Sequence, residues 1–67
     1  MLKIECIKGF IVGGTFPIMQ GEVFQFSKDA QPDEMLFEAM EGASLNPGME
    51  MEFTPEQLCN NFRLVVG

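Results

Sequence analysis

The feature that most restricts the fold is a run of five residues, Met49 to Phe53, in which large apolar side chains alternate with glutamates. Successive side chains of a β-strand point to opposite faces, so the run predicts a strand. Met49, Met51 and Phe53 are expected to face inward, and Glu50 and Glu52 are expected to face solvent. The chain is therefore expected to be built mainly from β-strands.

The length of the chain predicts a single domain spanning residues 1–67. A domain of this size buries only about 60% of the surface that its unfolded chain exposes, so its core needs many large side chains. Seven Phe and six Met provide them. Neither a signal peptide nor an apolar run of the ~20 residues needed to cross a bilayer is recognisable, which predicts a cytoplasmic protein without a membrane partner.

Three further segments have strand patterns. Alternation predicts strands over 2–8, over 22–26 and, at the end of the chain, over 63–66. The connection over 9–17 carries five apolar side chains and two adjacent glycines, and we expect an irregular loop that folds back over the core. The predicted core residues are Phe24, Phe26, Phe53 and Leu64, while Phe62, Leu64 and Val66 are expected to share one side of the last strand.

The segment 33–41 is ambiguous. At 100° per residue its three glutamates fall within one ~60° arc, opposite four apolar side chains, as in an amphipathic helix. Its residues also favour a helix by intrinsic propensity. The glutamates are Glu34, Glu38 and Glu41, and the apolar residues are Met35, Leu36, Ala39 and Met40. Local evidence alone therefore predicts a helix here.

A second helical signal begins at Thr54. Thr at a helix N-cap, Pro at the first helical position and Gln three residues after the Thr form a capping box. Thr54, Pro55 and Gln57 meet this pattern. One short helical or 3₁₀ turn is expected near residues 55–60.

The order of these segments resembles the small SH3-like barrel proteins common in phages and prophages. The resemblance rests on Leu2-Lys3-Ile4-Glu5-Cys6-Ile7-Lys8, on Gly21-Glu22-Val23-Phe24, and on the run from Gly48 through Leu58 to Phe62-Arg63-Leu64-Val65. It implies a five-stranded barrel in which 35–41 is a strand, although the segment between Lys28 and Gly48 is longer than the usual pattern. We therefore expect a mainly β, five-stranded SH3-like barrel, with an α+β fold carrying a helix at 33–41 as the alternative.

Charge is distributed unevenly along the chain. Residues 29–62 contain eight acidic side chains and no basic one, and the formal net charge of the whole chain is −6. Affinity for nucleic acid comes largely from Lys and Arg, so direct nucleic-acid binding is not expected. A basic protein surface is the natural complement.

The residue types also bear on chemistry. The chain has no His, and no Ser, Thr or Cys is spaced to form a nucleophile with a base, so we expect no enzyme and no catalytic residue. Two Cys without His cannot complete a zinc site, and no calcium loop is present, so no metal or other cofactor is expected. Cys6 and Cys59 are expected to be reduced, small and buried.

Three functions are compatible with these features. The first is a protein-interaction module, a phage or prophage accessory protein in the cytoplasm of a bacterial host, which binds a basic surface of a host or phage protein. The second is a DNA mimic that inhibits a nucleic-acid-binding protein. The third is a self-associating structural or virion component, which would make the chain a homo-oligomer. The candidate partner surface consists of Glu34, Glu38, Glu41, Glu50, Glu52 and Glu56.

Overall fold

The structure, a computed structural model, describes residues 2–40 and 47–66. This part of the chain is mainly β, with seven strands and one short helix. In chain order they are β1 (Lys3–Cys6), β2 (Phe10–Val12), β3 (Phe16–Ile18), β4 (Val23–Phe26), β5 (Leu36–Ala39), β6 (Glu50–Glu52), α1 (Pro55–Asn61) and β7 (Phe62–Leu64).

Five of the strands form one antiparallel sheet in the order β6-β5-β4-β1-β7. The last strand therefore pairs with the first, and β6 and β7 lie at opposite edges. The sheet is open and does not close into a barrel. The mainly β prediction is confirmed, whereas closure is not seen.

The segment after β1 is a hairpin, so the prediction of an irregular loop is wrong. β2 pairs with β3 in a separate two-stranded sheet, with Val12 opposite Phe16. The turn between them contains Gly13 and Gly14 at φ of 61° and 77°, a left-handed conformation that favours glycine. Ile18 is buried and Val12 packs against the core, whereas Ile11, whose side chain points to the other face, is exposed, so one face of the hairpin covers the main sheet.

The segment 33–41 contains strand β5, as the resemblance implies: Leu36–Ala39 is hydrogen-bonded between β4 and β6, and the alternative helix is not present in the described part of the segment. Packing of Phe37 explains the difference. A helix would place Phe37 on the flank of the glutamate arc, whereas the strand buries it with only 1% of its surface exposed. Its ring lies 5.5 Å from that of Phe26 and 5.9 Å from that of Phe53, so tertiary burial overrides local propensity.

The core consists mainly of aromatic rings, and two of the four predicted core residues are fully confirmed. Phe24 and Phe53 are buried, and Phe26 is partly buried against the same cluster. Met49 and Met51 also pack against the core, as the alternation predicts. The buried apolar residues are Ile4, Cys6, Ile18, Phe24, Phe37, Ala39, Phe53 and Phe62.

Leu64 is the exception, and its prediction as a core residue is wrong. It lies opposite Ile4, on the core side of the sheet, yet 61% of its surface is exposed. β7 is an edge strand with a neighbour on one side only, so its end is poorly covered. The strand also ends at Leu64 rather than at Val66, which is exposed, and Phe62 is the residue that enters the core.

The predicted helical turn is confirmed as α1, together with its capping box. The hydroxyl of Thr54 accepts a hydrogen bond from the Gln57 backbone N–H at 3.1 Å, and the Gln57 side chain accepts one from the Thr54 N–H at 2.9 Å. Pro55 occupies the first turn. These two bonds satisfy N–H groups that a helix start otherwise leaves unpaired.

Burial predicts how the chain responds to truncation at two positions. Phe53→Ala should lower the free energy of unfolding by about 3 to 5 kcal/mol, because a buried ring is replaced by a cavity. Leu64→Ala serves as the matched control and should change it by no more than about 0.5 kcal/mol, because that side chain is exposed. Chemical denaturation measures both. Equal losses for the two variants would contradict the arrangement of the core.

Candidate functional site

The paired strands β5 and β6 position most of the candidate residues. Their register places Glu38 opposite Glu50 and Leu36 opposite Glu52. Side chains alternate across a strand, so the core contacts of Phe37 and Met51 put these glutamates on the other, outer face. Directly opposed residues in an antiparallel pair have Cβ atoms about 4.5–5.5 Å apart. The sheet therefore holds the Glu38 and Glu50 side chains next to each other.

Two polar side chains from β4 and the residue after it hold these glutamates in place. Gln25 lies opposite Glu38, and its side-chain amide donates a hydrogen bond to the Glu38 carboxylate. The hydroxyl of Ser27 donates one to the Glu50 carboxylate and accepts one from the Asp29 backbone N–H at 3.1 Å. Ser27 has only 1% of its surface exposed. Glu50 therefore also satisfies a buried hydroxyl, a structural role that its alternation pattern does not reveal.

A second pair of carboxyl groups lies beside the first. A side-chain hydrogen bond with Glu34 raises the pKa of the Glu52 carboxyl above its usual range, and the charge of Glu34 and slight desolvation raise it further. Glu34 also accepts a hydrogen bond from the Gln31 backbone N–H at 3.0 Å, which fixes the loop before β5. The neighbouring Glu34 carboxyl thus favours the protonated form of Glu52, as expected for two closely spaced carboxyl groups.

Four of the six predicted surface residues are therefore brought together. The acidic face is the group formed by these four residues, Glu34, Glu38, Glu50 and Glu52. Glu56 is exposed in the first turn of α1, where a negative charge also stabilises the helix N-terminus. Glu41 lies outside the described residues.

Within the described residues, the acidic face forms no ion pair with a basic side chain. Among residues 2–40 and 47–66, the one ion pair joins Arg63 of β7 to Glu5 of β1 at 2.6 Å. Lys3 lies in the same cross-strand row as Gln25 and Glu38, but two strand spacings, roughly 10 Å, separate it from Glu38. That separation is about one Debye length at 0.1 M salt, so the charge of Lys3 is largely screened.

The two cysteines lie in different environments, and both are free thiols. Cys6 is buried, as predicted, whereas Cys59 is exposed on α1, so its prediction as a buried residue is wrong. Burial raises the pKa of the Cys6 thiol, and the nearby Glu22 and Glu5 carboxylates raise it further. The thiol donates a hydrogen bond to the Lys8 carbonyl at 3.3 Å. Cys6 is therefore an unreactive core residue.

Three further findings concern metal ions, membrane spans and similar proteins. Within the described ranges, no group of three or more Cys, Asp or Glu side chains is arranged to hold a metal ion. The same residues include no helix that is long and apolar enough to cross a membrane. No family model, curated protein or solved structure matches the chain.

Sequence reasoning missed Gln25 and Ser27. Gln25 could have been found, because it alternates with Phe24 and Phe26 and so must share the outer face. Ser27 belongs to a segment with turn composition, and nothing local shows that its hydroxyl would be buried. Its contact with Glu50 depends on pairing between residues 23 positions apart.

The Glu34–Glu52 pair predicts a specific dependence on pH. Since the folded-state pKa of Glu52 is raised, the pair stabilises the fold below the usual carboxyl pKa, and this contribution is lost as pH rises through the folded pKa. Glu34→Gln should lower the Glu52 pKa towards its usual range, which a carbon-detected NMR titration measures. Glu56→Gln is the control and should leave it unchanged. An unaltered Glu52 titration in Glu34→Gln would contradict the pairing.

The cysteines predict two rates of thiol labelling. In the native protein Cys59 should react readily with a maleimide, whereas Cys6 should react only when the core opens, because it is buried and its pKa is raised. Mass spectrometry of timed reactions measures both. In Cys59→Ser the fast phase should disappear; a fast phase that persists would show that Cys6 is accessible.

Proposed function

We propose that the protein is an interaction module that binds a basic surface of a partner protein through the acidic face. The observation that carries this proposal is that four carboxyl groups are held together on β5, β6 and the adjoining loop, and within the described part of the chain none of them forms an ion pair with a basic side chain. Structural ion pairing therefore does not account for them.

A cationic partner is the chemistry that fits this arrangement. Like charges placed opposite one another in a sheet destabilise it, and an approaching lysine or arginine relieves their repulsion. Gln25 and Ser27 fix two of the carboxylates before any partner arrives, so little side-chain entropy is lost there on binding. The charged face also attracts a basic partner over a distance and speeds association.

The architecture of the sheet is consistent with an SH3-like parent fold, which we propose in an open form. The last strand pairs with the first, β4, β5 and β6 follow one another across the sheet, and the β2–β3 hairpin is inserted after β1. Together with the segment pattern in the sequence, this order supports a phage or prophage accessory protein acting in the cytoplasm of a bacterial host. The module is proposed to act without catalysis or a cofactor.

The proposal predicts that association with the partner depends on charge at Glu34 and Glu52. These residues are chosen because neither carboxylate bonds a buried group, whereas Glu50 bonds Ser27. Glu34→Gln/Glu52→Gln changes the local charge by +2, and Glu34→Lys/Glu52→Lys changes it by +4. The partner is a protein captured from a host lysate whose binding depends on salt. Each increase in local charge should lower the rate of association with this partner, and the rate of dissociation should change less.

The measurement is biolayer interferometry at about 0.01 M and about 0.15 M salt, where the screening length falls from about 30 Å to about 8 Å. The differences between variants should shrink at the higher salt. Identical association rates for the three proteins would contradict the proposal. Competition by duplex DNA would instead favour a DNA mimic, and capture of the chain by itself would favour a self-associating component. Thermal unfolding of each variant checks that the fold is retained.

A further inference from the structure

An apolar groove opens on the core side of the sheet, beside the edge strand β7. Its volume is about 240 Å³, and its walls come from the start of β1, from β5, α1 and β7. Leu64 and Met35 contribute exposed apolar surface there, with 61% and 40% of their areas open to solvent. The principal lining residues are Leu2, Ile4, Met35, Phe37, Leu58 and Leu64.

A second pocket, of about 330 Å³, adjoins this groove. Asp33, Glu34 and Glu52 give it an acidic wall, and Met35 lines both the pocket and the groove. Small-molecule sites usually have volumes of about 300–1,000 Å³ and enclose their ligand more fully than these two cavities would. Each of the two cavities instead has room for one or two side chains of a partner. The two cavities therefore form one continuous surface that is apolar on one side of Met35 and acidic on the other.

The spacing of the two cavities fits an extended chain. Pro55 lines the acidic pocket and Leu58 lines the groove, three residues and about 4.5 Å apart along α1. Phe37 lines only the groove, and Met35, two residues before it and about 7 Å away in an extended chain, lines both cavities, so the acidic pocket begins within about that distance of the groove. Side chains on one face of a bound extended peptide repeat at the same ~7 Å. One side chain can thus enter the groove while the next on that face enters the acidic pocket.

We propose that this surface binds an extended segment of the partner in which an apolar residue is followed, two positions later, by lysine or arginine. The apolar side chain fills the groove against Leu58 and Leu64, and the cation binds the carboxylates of Glu34 and Glu52, where it replaces the hydrogen bond between them. Met35, with its flexible thioether, forms the wall between the two sites. This assignment rests on the proposed function and specifies the chemistry of its partner.

Charge argues against a second copy of the chain as the occupant. Each copy has a net charge of −6 and only four basic side chains, so two copies repel. A basic, apolar segment instead complements both parts of the surface. Removing the exposed Leu64 and Met35 side chains from water adds a hydrophobic contribution that a purely charged partner would not receive.

Three blocked synthetic pentapeptides test the assignment: Leu-Ser-Arg-Ser-Leu, Ser-Ser-Arg-Ser-Ser and Leu-Ser-Gln-Ser-Leu. The first places Leu and Arg two positions apart. The second keeps the cation alone and the third keeps the apolar side chains alone. Methyl NMR of the methionines and leucines reports on the groove, and the Glu52 carboxyl signal reports on the acidic pocket.

The Leu/Arg peptide should shift the Met35 and Leu64 methyl signals and the Glu52 signal together, in a saturable way. It should bind about 10-fold or more tightly than the cation-only peptide, since burial of one leucine side chain contributes that much. It should also bind more tightly than the apolar-only peptide, which lacks the charge that pairs with Glu34 and Glu52. Met35→Ser should weaken its binding several-fold. Met19→Ser is the matched control, because Met19 is also exposed, at 56%, but does not line either cavity.

Other results would overturn the assignment in distinguishable ways. If the cation-only peptide binds as tightly as the Leu/Arg peptide without moving the Met35 methyl signal, the groove is not used, and binding through the acidic face stands. If the Leu/Arg peptide does not bind, the assignment fails, and the association-rate series on Glu34 and Glu52 judges the proposed function separately. A dimer by sedimentation that buries the Met35 methyl group would assign the groove to a second copy.

Discussion

The packing of Phe53 is the interaction on which the rest of the structure depends. Its ring contacts four others, at centroid distances of 4.8 Å to Phe62, 5.2 Å to Phe24, 5.9 Å to Phe37 and 6.0 Å to Phe10. These rings come from β7, β4, β5 and the β2–β3 hairpin, so one side chain joins both sheets. Aromatic pairs in such tilted and edge-to-face arrangements add about 0.5–1.5 kcal/mol each beyond the burial of their area. For a chain this short, that cluster replaces the larger core of an ordinary domain.

The acidic face is a consequence of this aromatic core. Burying Phe37 against Phe53 requires residues 36–39 to be extended, and the alternation of the strand then turns Glu38 outward. The same alternation in β6 turns Glu50 outward beside it. The surface proposed to bind a partner and the core that stabilises the fold are thus opposite faces of the same two strands. The apolar groove lies where the open sheet leaves the core side of β7 uncovered.

Sequence patterns predicted the features whose cause is local. Alternation in β6 and the capping box at Thr54 depend on neighbouring residues, and both are confirmed. Strand β5 was expected from the resemblance but not from its local pattern, because its glutamates have helical spacing and only the distant rings that bury Phe37 decide against a helix. The prediction of Leu64 as a core residue was wrong because alternation shows which face of the sheet a side chain lies on, but not whether other residues cover that face. The glutamates of the acidic face could be named from the sequence, whereas their hydrogen bonds to Gln25 and Ser27 depend on strand register.

The central claim is that aromatic packing makes residues 36–39 a strand and so places Glu38 beside Glu50. Proton NMR tests this claim directly. Glu38 and Glu50 are register partners, and the hydrogen bond from the Ala39 N–H to the Met49 carbonyl shows that they form a non-hydrogen-bonded pair. The Cα atoms of such a pair are about 4.5 Å apart. The account predicts a strong nuclear Overhauser effect between the Hα protons of Glu38 and Glu50. Its absence, together with contacts between the Hα of each residue and the amide proton three positions later over 34–39, would show a helix and contradict the account.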